Sequence, residues 1–202
     1  MAPRSVTTAD VARSSRASAR ERLLAAADDL FYREGVHVVG IDRVIERAGV
    51  AKASLYNTFG SKDELVRAYL EGRHRAIAER VTGGLAAYPT PRAKILGVFD
   101  IQGQRYAEPT FRGCPFVAAT AEAPPESPAV AAADGYRAWV RGLFTDLARE
   151  AGAADPETLG RQLHMLYDGT AISARMDHDA AAAVAAGRAM ATTLVDAALG
   201  PA

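Results

Sequence analysis

One cysteine in 202 residues excludes an intramolecular disulfide framework and any zinc site built on paired cysteines. No run of about 18 consecutive apolar residues occurs, so no membrane-spanning helix is expected. No apolar signal core follows the N-terminus, and a cytoplasmic location is the expectation. Long alternating β-branched runs are missing, which argues against an all-β fold. Gly-rich phosphate loops, a nucleophile elbow and metal-ligand spacings are also missing. The four histidines, His37, His74, His164 and His178, are scattered, so neither a metal site nor a cofactor is expected.

What is abundant is alanine, at 44 positions, in a chain that is 49% apolar and 24% charged. Alanine is the best helix former, and the expected class is all-α. The formal net charge is zero, but residues 1–75 hold 13 Lys/Arg against 10 Asp/Glu, a mild basic excess that suits a nucleic-acid-facing front half. Arginine outnumbers lysine 21 to 3, and no functional reading is attached to that ratio.

Residues 1–15 are polar and lack a helical stripe; they read as a disordered arm whose Arg4 and Arg13 either touch phosphates or stay solvated. From Ser18, Leu23, Ala27, Leu30 and Phe31 trace one helical face that ends at Gly35. Two short helices follow, Ile41 to Ala48 and about Ala51 to Phe59, stopped by Gly49 and Gly60. Ser61 to Glu64 has the form of a capping box, opening a helix that runs to about Leu85. Beyond the Tyr88–Pro91 break, helices are expected after Pro91, after Phe116, from Pro128 to Ala151, around Leu159–Tyr167, and from Ala180 to Leu199.

The pair joined at Gly49-Val50 has the layout of a helix-turn-helix. Ile41, Val44, Ile45, Ala48, Val50, Leu55 and Phe59 form its shared core. That leaves Lys52, Ala53, Ser54, Tyr56, Asn57 and Thr58 outward, a small polar surface that enters a major groove without steric conflict. Lys52 can donate to guanine or phosphate, Asn57 can pair with adenine, Ser54 can donate or accept, and Ala53 allows close backbone approach. The Tyr56 hydroxyl suits a phosphate, as does Lys62 at the next helix start. Spacing alone leaves an ordinary helical hairpin with a solvated face as an equal alternative.

The segment Ile41 to Leu65, IDRVIERAGVAKASLYNTFGSKDEL, resembles the DNA-binding segment of the TetR/AcrR family of bacterial transcriptional regulators. The resemblance rests on Ala48-Gly49-Val50, Leu55-Tyr56, Phe59, Ser61-Lys62 and Glu64-Leu65. It starts near Arg20, includes Phe31 and Gly35, and covers about 50 residues. It implies an all-helical protein of about nine helices, with a helix-turn-helix head (16–62) and a larger ligand-binding and dimerisation body (63–202). It also implies a homodimer on near-palindromic double-stranded operator DNA, responding to a small-molecule effector, most often as a repressor. Tyr56 and Lys62 fall on the family's phosphate positions; Lys52, Ala53, Ser54 and Asn57 face bases or nearby phosphates. Gly40 and Ala51 depart from the family, which often carries Ser or Thr at the first and Ser at the second. Neither can cap its helix through a side chain.

Arg112-Gly113-Cys114-Pro115-Phe116, followed by Ala119 and Glu122, also looks like a motif of one subset of these regulators. In the body, Phe99, Gln102, Tyr106, Phe116, Trp139, His164 and Tyr167 are candidates to line an apolar pocket with a few polar handles. Phe111, Tyr136 and Phe144 are further aromatics that serve either a pocket or plain core. His164 and Asp168, at i and i+4, either orient a ligand or pair structurally. Cys114 is either an oxidisable sensor or a buried thiol. Leu159, Leu163 and Leu166 on one helix, with Ala191, Leu194 and Val195 on the next, are the candidate dimer interface. Two other classes stay open: a helical enzyme using His164 and Asp168, and an architectural protein that binds DNA only as a polyanion.

Overall fold

Ser18 opens the first helix by a reciprocal capping box: its hydroxyl accepts the Glu21 N–H, and the Glu21 carboxylate accepts the Ser18 N–H at 2.7 Å. The computed structural model describes residues 18–200, so the arm expected over 1–15 lies outside the described residues. Among the described residues there are nine helices and no strand. They are α1 (Ala19–Glu34), α2 (Ile41–Ala48), α3 (Lys52–Phe59), α4 (Lys62–Leu85), α5 (Pro91–Tyr106), α6 (Pro115–Thr120), α7 (Pro128–Glu150), α8 (Pro156–Met176) and α9 (Ala180–Leu199).

Helices α1–α3 and the first turns of α4 enclose Leu23, Phe31, Val44, Leu55 and Leu65, all buried. The turn between α2 and α3 depends on Gly49, at φ 61° and ψ 43°, whose N–H reaches back to the last carbonyls of α2. That left-handed conformation costs other residues about 1–2 kcal/mol. Arg22 of α1 donates to the Gly49 carbonyl at 3.3 Å and ties the turn to the head. Ser61 caps α4 by accepting the Glu64 N–H at 3.1 Å. Only half of the expected capping box forms, because Arg67 draws the Glu64 carboxylate forward to 2.6 Å.

The body packs α7 on α8, α8 on α9, α4 on α7, and α5 on α9. Its core centres on Phe99, Phe144 and Tyr167, with Phe99 and Phe144 ring centroids 5.7 Å apart. Helix α7 passes close to α8 because position 160 is glycine: a Cβ there would lie 2.9 Å from the Thr145 backbone. Helix α9 is long and apolar enough to cross a bilayer by length and composition alone, although Arg188 and Asp196 interrupt its apolar run. Its apolarity is mostly alanine. Here it packs on the body, with Ala191 and Val195 buried, Arg188 paired with Asp100 at 2.7 Å and Asp196 paired with Arg92.

The candidate dimer interface also needs correction. Leu159 and Leu163 on α8, and Ala191 and Val195 on α9, are at most 2% exposed within the single chain, so they build its own core. They form the most continuous apolar stripes, and such stripes are buried first, by the nearest partner in the same chain. Leu166 and Leu194 stay half-exposed. The large apolar side chains these helices turn outward are Met165, Ile172, Met176 and Met190.

Two expectations follow. Gly160→Ala forces α7 and α8 apart and lowers unfolding stability by about 1–3 kcal/mol in chemical denaturation. Gly142→Ala, in open space on α7, raises it by about 0.5–1 kcal/mol. Burial pushes the phenols of Tyr106, Tyr136 and Tyr167 upward, Tyr167 to about 12. A folded-state pKa above the unfolded one contributes stability that is present below about pH 10 and is lost as pH rises toward about 12. Phenolate absorbance from these residues should therefore emerge together with loss of helical circular dichroism, rather than before it.

Candidate nucleic-acid interface and body cavity

Leu55, fully buried, anchors α3 to α1 and turns Lys52, Ala53, Tyr56, Asn57 and Thr58 to solvent; Ser54 is half-buried. The face is therefore the one expected, with differences in detail. Thr58 turns its hydroxyl back to the Ser54 carbonyl at 2.6 Å. Lys52 is held by Asp42 of α2 at 2.9 Å, which raises its pKa and keeps it cationic. Both partners are well exposed, so this is a weak surface pair that a phosphate or a guanine edge can compete for. Lys62 sits half-buried in the first turn of α4, where unpaired backbone N–H groups add to its charge. Gly40 and Ala51 stand at the N-caps of α2 and α3 with no side-chain cap, leaving first-turn N–H groups open to an anion.

A cavity of about 90 Å³ opens in the body between α4, α5, α7 and α8, closed on one side by the segment preceding α6. Of the seven pocket candidates, Gln102, Tyr106 and Tyr167 line it. The other four do not. Phe99 packs against Phe144 and Tyr167, and Phe116 stacks on Tyr136 with ring centroids 3.9 Å apart. Trp139 lies against His74 and Tyr136. His164 is buried, its Nε2 3.5 Å from Asp168 without forming a hydrogen bond, and burial lowers its pKa. The three aromatics are taken up by neighbouring rings, and His164 is buried beside Asp168.

Sequence reasoning missed the cavity's cations and its contact with the head. Arg73 and Arg80 of α4, with Ile77 between them, line one wall; their i, i+4, i+7 spacing was a readable signal. Arg105 faces them from α5, and Asp168, which accepts from Arg137 at 2.6 Å, is the acid in the lining. A polar chain runs inward from the exposed Arg80: Arg80 donates to Gln102 Oε1 at 2.9 Å, the buried Gln102 donates to the Tyr167 hydroxyl, and the Tyr167 and Tyr136 hydroxyls lie 3.1 Å apart. Cys114 also lines the cavity, and burial pushes its thiol up, away from the reactive thiolate.

Tyr32 comes to this cavity from α1, in the head. Its hydroxyl donates to the Gly113 carbonyl at 3.2 Å and accepts the Arg112 N–H at 3.0 Å. Gly113 at φ 97° aims that stretch of backbone at Tyr32, a conformation other residues rarely adopt. The Arg73 guanidinium covers the Tyr32 ring, 4.0 Å from its centroid, and pairs with Asp28 of α1 at 2.9 Å.

The family model described as "Bacterial regulatory proteins, tetR family" matches residues 23–69. SCO4454, a TetR-family transcriptional regulator from Streptomyces coelicolor, is 33% identical, with a TM-score of 0.83 over 91% of this chain and 96% of that one. The protein sav143 of Streptomyces avermitilis is 36% identical, with a TM-score of 0.81 over 90% of this chain and 98% of that one. The transcriptional activator FasR of Mycolicibacterium smegmatis is 47% identical over 55 residues, 27% of this chain. The match spans about a quarter of the length of the curated relatives. Head and body together are thus shared with whole solved chains at substantial identity, and this chain belongs to the TetR family of bacterial regulatory proteins.

Proposed function

We propose that this protein is a homodimeric, sequence-specific transcriptional repressor, acting in the cytoplasm on a near-palindromic operator and released when a small molecule fills the body cavity. The observation that carries the reading is Tyr32, a residue of the DNA-binding head whose hydroxyl is bonded to the cavity wall. A ligand that displaces the Arg112–Cys114 segment pulls on α1, and α1 carries α2 and α3. In a dimer, that motion changes the spacing of two recognition helices that must meet half-sites on one DNA face. A ligand preferring the mismatched spacing by about 2.7 kcal/mol lowers operator affinity about a hundredfold.

On this reading Asn57, Lys52, Ser54 and Ala53 approach base edges, while Tyr56 and Lys62 hold phosphates. The dimer face moves to the outward side of α8 and α9, where Met165 and Met190 join Leu166 and Leu194 around Gly169 and Gly187. Small residues there let two copies of the helix pair approach closely. A second reading, ligand-assisted activation, is favoured by the similarity of the head to FasR, which is named an activator. The same coupling serves it with the opposite sign.

Footprinting of the full chain on the DNA flanking its own gene, against a scrambled duplex, tests the proposal. A protected two-fold symmetric site is expected, and uniform salt-dependent binding to every duplex would sink it. Lys62→Ala should weaken binding to all duplexes alike and reduce the slope of log affinity against log salt by about 1. Asn57→Ala should relax preference at one base pair per half-site. Asp42→Asn, by freeing Lys52, should strengthen binding to any duplex. Tyr32→Phe keeps the ring and removes both hydrogen bonds. It should cost about 1 kcal/mol of stability, speed hydrogen exchange at the Arg112 amide, and alter operator affinity although residue 32 lies off α3. Unchanged exchange at Arg112 would refute the coupling route.

A further inference from the structure

The charges around the cavity are unevenly satisfied. Arg73 is paired with Asp28, Arg105 with Glu108 at 2.8 Å, and Asp168 with Arg137. Arg80 has no carboxylate partner among the described residues; its single protein bond is to the neutral Gln102 oxygen. A cationic guest would find one acid, already neutralised. An anionic guest would find a guanidinium with donors to spare, in the geometry that takes a carboxylate in two parallel bonds.

Shape narrows the class further. The cavity of about 90 Å³ is smaller than the roughly 150 Å³ that holds a benzene ring, but exposed residues, Arg80 among them, line part of it and leave room to adjust. A guest of about one ring, seated with side-chain adjustment and with its polar substituent toward Arg80, fits that size best. The walls favour a flat ring over a flexible chain. Tyr106 and Phe111 stand as a tilted pair with centroids 4.9 Å apart, with Tyr136 and Tyr167 also in the lining.

We infer that the body cavity binds a one-ring aromatic carboxylate, with the acid group on Arg80 and the ring among Tyr106, Phe111 and Tyr136. This inference rests on the reading of the cavity as the effector site and specifies its chemistry. Arg80 is then the specificity-determining residue. Its bond to Gln102 extends to Tyr167 and Tyr136, so a ligand that takes Arg80 also disturbs that polar chain.

The test is calorimetric titration of the full chain with sodium benzoate, and in parallel with benzyl alcohol, benzamidinium and hexanoate. Benzoate should bind saturably, once per chain, at least about tenfold tighter than each of the others. Arg80→Gln should lose about tenfold or more of the benzoate affinity, leave benzyl alcohol unchanged and unfold as the parent does; Arg80→Lys should fall between. Benzamidinium or hexanoate binding as well as benzoate, or an Arg80→Gln variant that keeps the full benzoate affinity, overturns the inference. Operator binding is measured separately on the footprinted duplex. Benzoate binding that leaves operator affinity unmoved supports the ligand class and overturns the effector role. A chain without any preferred duplex overturns the regulator reading, while the calorimetry still decides the cavity.

Discussion

The double burial of α4 is the constraint on which the rest of the molecule depends. Its first turns bury Leu65, Val66, Tyr69 and Leu70 and its last turns bury Val81 and Leu85, all in one hydrophobic core that runs from head to body. The Phe31 and Tyr69 rings meet edge to face at 5.6 Å, and the Asp28–Arg73 pair fastens the same helix to α1 a turn later. A rigid helix of 24 residues that packs on both the head and the body cannot tilt against one without displacing the other. Tyr32 adds a second link between them at the cavity wall.

Electrostatics divides the molecule differently from the sum of its charges. The head carries its ion pairs on the surface, Arg43 with Glu34 and Arg47 with Asp29, where each contributes little. That leaves a recognition face whose one lysine on α3 is already paired and whose polar side chains are small. Such a face offers small hydrogen-bonding groups rather than concentrated positive charge. The body cavity inverts this arrangement. Its phenols are kept neutral by burial, its carboxylate is neutralised, and one guanidinium is left without an acid.

Helices α8 and α9 illustrate how apolar surface is allocated. Each has two stripes of side chains that a partner could use. The Leu159–Leu163 stripe and the Ala191–Val195 stripe go to the chain's own core, since that burial is available in every molecule at any concentration. What remains outward is a sparser set of methionines and small residues, softer and flatter than a core stripe. Choosing an interface by apolar continuity therefore selects core.

The sequence by itself determined the helical class, the order of the helices and most of their ends, though α8 runs on to Met176, well past the expected Leu159–Tyr167 stretch. Those features are local: alanine content, apolar period, Ser61, and glycines at 35, 49 and 60 act within a turn or two of themselves. It also determined the outward face of α3, because a helix of eight residues anchored by Leu55 has one inward side. Only the tertiary structure decided which aromatics line the cavity and which do not, since Phe99, Tyr106 and Phe116 are all large aromatics on helices and differ in what packs against them. It also decided that Arg80 lacks an acid, that Lys52 has one ten residues away in Asp42, and that Tyr32 of the head touches Gly113 of the body. Those pairings join residues distant in the chain, and no periodicity in either segment encodes where the other will lie.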